Sequence, residues 1–281
     1  RLIDLKYWFA FNIERSAQSY FNAVSCIAGP FGCYRQDCLR LVQEEWIEQR
    51  FLRQRCTYGD DRHLTNCLLA LAPEECPCTP SVLYTPFAQC YTETPETWSR
   101  FIVQQTRWAR SFYREYVWSM TSFAPTQRLW LQYELTFMIF YNTLLCCTFL
   151  RYCFFKTVRE WLVLFLCIVL SSFVRALMGV AATMDCRFLA FSLYGFVYLF
   201  GLLPVKLWAC CTLNVTRWGT GHRLLPKNTM VDTLPVLVWC VTFLCAFMQR
   251  LSTTWDAFVA DGLLWSLLGV FIGFCVFMIR S

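Results

Sequence analysis

The chain has 281 residues, 57% of them hydrophobic, and a formal net charge of +6, with a mean hydropathy of +0.40. That is too apolar for an ordinary soluble domain, and the length holds one soluble portion beside a bundle of membrane spans. No Lys/Arg-rich run interleaves with a folded module, so nucleic acid is excluded as a partner.

The front is densely charged: residues 1–128 hold 14 basic and 13 acidic residues, against 11 and 6 in residues 129–281, a net of +1 against +5. The basic bias beside apolar runs suits an anionic leaflet or an anionic substrate. The first residue is Arg1, which leads straight into a patterned segment. A further amino-terminal part is therefore expected, and no signal peptide is visible.

Tyr7 to Tyr20 reads as a packed helix, its aromatic and apolar residues set around Asn12, Glu14, Arg15 and Gln18. Cys26-Ile27-Ala28 reads as a short apolar strand. It runs into the turn Gly29-Pro30-Phe31-Gly32, whose glycines permit close backbone approach to a ligand or simply make a connection. Residues 37–52 are helical by period, with Asp37 as the cap. From Gly59-Asp60-Asp61-Arg62-His63 a second helix begins, with Leu64, Cys67, Leu68 and Leu71 as its apolar stripe. Asp60-Asp61 serves as an N-cap or as a general base at a helix start, and position alone leaves both open. His63 by itself carries no site. Residues 73–86 contain four prolines and form a connection. Cys76-Pro77-Cys78 lacks zinc-knuckle spacing, and the front cysteines read as free thiols in a reducing compartment.

From Thr97 the pattern turns amphipathic, with Trp98, Phe101, Ile102, Trp108, Phe112 and Tyr116 on one side and Arg100, Arg107, Arg110 and Arg114 for charge. Such a helix lies in a membrane interface until Pro125 breaks it. Within it, Gln104, Arg107 and Trp108 fall at i, i+3 and i+4 and share a face. An amide, a guanidinium fork and an indole plate suit a diphosphate-linked sugar. The same three residues equally suit a membrane anchor with a snorkelling arginine.

Apolar runs follow at 130–150, 161–182, 188–213, 233–249 and 263–279, near the ~20 residues a bilayer crossing needs. Glu134 and Arg175 inside the first two are costly there and call for partners. Pro204 and Lys206 interrupt the third run, which is read as interfacial. Trp218-Gly219-Thr220-Gly221-His222-Arg223 is a loop with phosphate-binding chemistry or a plain interfacial connection.

Four strings now stand in one order: Cys26-Ile27-Ala28-Gly29-Pro30-Phe31-Gly32-Cys33-Tyr34-Arg35, Gly59-Asp60-Asp61-Arg62-His63-Leu64-Thr65-Asn66, Gln104-Gln105-Thr106-Arg107-Trp108 and Trp218-Gly219-Thr220. With Glu14-Arg15 and Gln18-Ser19-Tyr20-Phe21, they closely resemble the vertebrate-type hyaluronan synthases. Those are processive family 2 membrane glycosyltransferases related to the cellulose and chitin synthases.

The resemblance implies an α/β glycosyltransferase (GT-A-like) domain portion followed by interfacial helices and an α-helical transmembrane bundle. Residues 1–96 would be the carboxy-terminal part of the cytosolic glycosyltransferase domain and 97–128 the interfacial region. Residues 129–281 would be the bundle, spanning at about 130–150, 161–182, 233–249 and 263–279, with a gating loop at 214–232.

It also implies alternating transfer of N-acetylglucosamine and glucuronic acid from UDP-N-acetylglucosamine and UDP-glucuronic acid, with extrusion of hyaluronan across the lipid bilayer of the plasma membrane by a multi-pass protein. Asp61 would be the general base, with Asp60 and Arg62 in support. Gln104, Arg107 and Trp108 would line the acceptor and UDP sites. Gly29, Pro30 and Gly32 would sense the acceptor end, and Trp218, Gly219, Thr220 and Arg223 would close over UDP.

Two departures stand out. Gly221-His222 replace the usual Ser-Gly of that loop, and the Asp-x-Asp that holds Mg2+ or Mn2+ in the family would lie upstream. These 281 residues alone are therefore expected to be inactive. A chitin- or cellulose-type synthase and a non-enzymatic channel or scaffold are the alternatives. By topology the third run stays interfacial to keep Trp218 cytosolic. Arg151, Lys156 and Arg159 then fall outside, against the positive-inside rule.

Overall fold

The computed structural model describes residues 2–71, 81–123, 128–216 and 229–260. The loop residues Trp218, Gly219, Thr220 and Arg223, the last apolar run and the Cys76-Pro77-Cys78 string lie outside them. The described residues are mostly helical, and their one sheet is a two-stranded antiparallel ribbon of β1 (Arg50–Phe51) and β2 (Gln54–Arg55).

The first helix is α1 (Leu2–Phe9), which widens into a π-helical segment (Ala10–Arg15) and closes as α2 (Ser16–Tyr20). The expected strand at Cys26-Ile27-Ala28 does not form. The Ile27 N–H is taken by the Thr65 Oγ1 at 2.9 Å, so no ladder bond is left for it to make. Helix α3 (Gln36–Ile47) stops short of the expected Leu52. Leu52 and Arg53 adopt φ of 49° and 65°, which turns the chain back as the β1–β2 hairpin. Asp37 is not the cap but a first-turn residue, paired with Arg35 at 2.6 Å. Helix α4 (Asp60–Ala70) buries Leu64, Cys67, Leu68 and Leu71 against Cys38 and Val42 of α3. This is the stripe read from period, each leucine contributing roughly 2 kcal/mol.

Helix α5 (Trp98–Ser122) begins as expected, with the Thr97 side chain accepting from the Arg100 N–H at 3.3 Å. Four apolar segments among the described residues are long enough to cross a membrane: Leu129–Phe155, Val158–Thr183, Cys186–Cys211 and Val231–Thr253. The first two are α6 and α7, the latter opened by a capping box of Thr157 and Glu160. The third is compound: a 3-10 segment (Cys186–Leu193), α8 (Tyr194–Phe196), a π segment (Val197–Leu202) and α9 (Leu203–Cys211). The fourth is part of α10 (Thr229–Ala260).

Pro204 does not interrupt the third segment. It sits where the π segment (Val197–Leu202) passes into α9, and the helical run continues through it. Lys206 is enclosed, donating to Tyr198 Oη at 2.6 Å and Asn142 Oδ1 at 3.2 Å. The bundle core is aromatic: Phe149 stacks on Trp239 at 4.0 Å, and Trp161 and Phe243 close around them. In lipid, dispersion between such rings holds helices together where hydrophobic driving force is absent. Glu134 accepts a short hydrogen bond from Gln18, the partner its place in a span requires, whereas Arg175 is exposed on α7. Every described cysteine is a free thiol.

Candidate functional site

Asp60 and Asp61 are the first two residues of α4, and Gly59, not an aspartate, is its N-cap, at φ 84°. Only glycine sits there without strain, and a Cβ would fall 2.1 Å from Ser111 Oγ on α5. Gly59 thus lets α4 and α5 close on each other beside the carboxylates, which the positive end of α4 favours. Gly59→Ala is expected to cost roughly 3 kcal/mol through left-handed strain and overpacking. A thermal-stability assay on the purified full-length protein checks it.

Asp61 Oδ1 accepts from the Arg62 N–H at 2.8 Å. Its other oxygen, Oδ2, lies 3.6 Å from where a Gly29 Cβ would be. The turn at 28–31, closed by Phe31 N–H to Ala28 O at 3.1 Å, therefore crosses the first turn of α4. Gly29, Pro30, Phe31 and Gly32 are all exposed. Gly32 is the sterically obliged glycine, since a Cβ there would meet Ile27 Cγ2 at 2.6 Å. The buried Cys26 thiol faces the Asp61 carboxylate, and burial, reinforced by Asp61, pushes its pKa up. Burial and the same negative neighbours push the Tyr34 hydroxyl up to about 12.

Arg107 stands across from these carboxylates. Burial lowers its pKa, and Tyr58, Asp61 and Asp60 act on it in the opposite sense. Trp108 is 40% exposed, its ring 6.3 Å from that of Tyr7. Gln104 Oε1 is buried without a partner, an acceptor in want of a donor. Asp61 and Asp60 thus lie within electrostatic reach of Arg107, and Gln104 and Trp108 flank Arg107 on α5. A recess of about 250 Å³ lined by Trp46, Gln49, Arg55, Thr57 and Asp60 opens beside them. The larger recess, about 500 Å³, is apolar and lies between α6 and α10, away from these groups.

The segment that leads toward Trp218 is anchored here too. The Thr57 N–H donates to Thr216 O at 3.0 Å and the Tyr58 hydroxyl to Val215 O. Arg110, one turn beyond Arg107, pairs with Asp232 of α10 at 2.9 Å and donates to Thr212 Oγ1 at 2.9 Å.

Sequence reasoning missed the buried carboxylate of Glu115. It accepts from Gln49 Nε2 at 2.8 Å and Asn66 Nδ2 at 3.0 Å, and meets His63 Nδ1 at 3.0 Å. A signal existed: Glu115 follows Trp108 by two helical turns, on the same face of α5. Among the described residues no three His, Cys, Asp or Glu side chains gather in a metal-binding group.

No family model matches the chain. Curated proteins do. Hyaluronan synthase 3 of Homo sapiens is 34% identical over 267 residues, covering 93% of this chain and 47% of its own length. By sequence the chain is a relative of the hyaluronan synthases. Hyaluronan synthase 1 of Xenopus tropicalis is 36% identical over 236 residues, covering 84% of this chain and 39% of its own length. Hyaluronan synthase 2 of Xenopus laevis is 37% identical over 245 residues, covering 85% and 42%. The chain thus spans less than half the length of these hyaluronan synthases, and it carries beside them the four span-like helices described above.

Proposed function

We propose that the full-length protein is a hyaluronan synthase, an inverting glycosyltransferase that adds N-acetylglucosamine and glucuronic acid alternately from their UDP forms and passes the polymer through its membrane bundle. The observation that carries this is the Asp61 carboxylate at the start of α4 with Arg107 of α5 in its field. Asp61 takes the proton of the acceptor hydroxyl as that oxygen attacks the anomeric carbon. The carbon–oxygen bond to UDP breaks on the opposite face, so configuration inverts. The Arg107 fork meets the diphosphate charge as it develops, and Trp108 with Tyr7 offers apolar faces to the acceptor ring.

Residues 1–96 are then the carboxy-terminal part of a cytosolic GT-A-type domain and residues 97–128 its interfacial region. On this reading the chain between α9 and α10 is the loop over UDP, on the cytosolic side of a plasma-membrane protein, and the third apolar segment stays with the cytosolic face. A divalent ion, Mg2+ or Mn2+, supplies charge neutralisation at the diphosphate when bound. The described residues offer no ligand set for it, and no step here runs through it. The enclosed Lys206, with Asn142 and Tyr198, suits an anionic chain passing through the bundle, since a cation enclosed among apolar helices needs such a reason.

The test is incorporation of both labelled sugars by the purified full-length protein. Polymer requiring both UDP-sugars and digested by hyaluronidase is expected. Polymer from UDP-N-acetylglucosamine alone would mean a chitin-type synthase, and none at all a channel or scaffold.

A further inference from the structure

Two guanidinium groups meet on one hydroxyl beside Asp61. Arg15 Nη1 lies 3.5 Å from Ser25 Oγ and donates to Gln18 Oε1 at 2.5 Å. Arg62 Nη1 lies 3.4 Å from the same Ser25 Oγ and 3.5 Å from the Ser25 carbonyl, with its guanidinium 5.5 Å over the Phe112 ring. Neither arginine has an ion-pair partner among the described residues. The nearby acids are Asp61, Glu14 and Glu134; Glu14 and Glu134 act on Arg15 through their charge, and only Glu134 is linked to it by hydrogen bonds, through Gln18. Arg15 closes the π-helical segment Ala10–Arg15, a distortion that often re-aims side chains at functional sites.

Like charges gathered this way are unfavourable unless an anion joins them. Each guanidinium keeps its Nε and second Nη without a protein partner among the described residues. Both arginines are half-buried rather than enclosed, and none of these nitrogens is a buried orphan.

We infer that Arg15 and Arg62, gathered on Ser25, form a carboxylate subsite for the glucuronic acid residue at the acceptor end of the polymer. This rests on the synthase reading above. A planar monoanion matches the paired forks. A diphosphate is better matched by Arg107, which faces Asp60 and Tyr58. Because Arg62 directly follows Asp61, a uronate held here presents its ring beside the base.

The experiment measures two half-reactions in the full-length protein: N-acetylglucosamine transfer to oligosaccharides ending in glucuronate, and glucuronate transfer to oligosaccharides ending in N-acetylglucosamine. With wild-type protein, methyl esterification of the terminal glucuronate is expected to raise its acceptor KM about tenfold or more, the scale of a lost charged hydrogen bond. Arg15→Gln and Arg62→Gln are expected to raise KM for glucuronate-ended acceptors about tenfold more than for the other kind, and to erase the effect of the ester. Equal losses in both half-reactions, or an ester penalty that survives in the variants, overturn the subsite. A wild-type protein that transfers neither sugar overturns the synthase reading instead.

Discussion

Asp61→Asn in the full-length protein is expected to lower kcat for polymer synthesis by about a thousandfold, with KM for either UDP-sugar changed little. Asn keeps the size and the acceptor oxygen that meets the Arg62 N–H at 2.8 Å, so the first turn of α4 is not disturbed. What disappears is the ability to take a proton, and a positioned base supplies roughly 10²- to 10⁴-fold. Steady-state rates at saturating UDP-sugar, on protein whose elution profile matches wild type, make the measurement. Rates within threefold of wild type would remove Asp61 from the chemistry and return it to a first-turn residue stabilised by the helix dipole.

Glu115→Ala carries the second large effect, on stability. Glu115 is 4% exposed, and its carboxylate joins Gln49, just past the end of α3, to His63 and Asn66 of α4. Deleting it strands three polar side chains in the interior. Breaking a buried charged network by removing one member costs about 3–5 kcal/mol, more than a surface ion pair returns. The exposed pair of Arg100 in the first turn of α5 with Glu96 just before the helix, 3.4 Å apart, is the internal comparison: Glu96→Ala is expected to change stability by less than about 1 kcal/mol. Thermal inactivation of the two variants side by side tests the contrast, and equal midpoints would show that Glu115 ties nothing.

Periodicity made α4 and α5 legible. Leu64, Cys67, Leu68 and Leu71 repeat every three or four residues because one helix face must be dry, and the structure buries that face on α3. Composition made the spans legible, since a long apolar run has few other uses. What could not be read was set by partners distant in sequence. Ile27 looked like a strand residue until the Thr65 hydroxyl took its N–H. Lys206 looked like a boundary marker until Asn142 and Tyr198 enclosed it. For the proposed site, Asp61, Arg107 and Trp108 are candidates that short strings name. Ser25 and Glu115 enter through contacts that no string spells out.

The bond from the Thr57 N–H to Thr216 O has a mechanical consequence. It joins the residues just before α4 to the chain just after the third apolar segment, and Arg110 with Asp232 adds a second tie to α10. Cleft and bundle are therefore riveted together, and neither can slide as a piston against the other without breaking both ties. On the synthase reading proposed above, a growing polymer would pass a frame held by these two ties, without a stroke of one body against the other to push it.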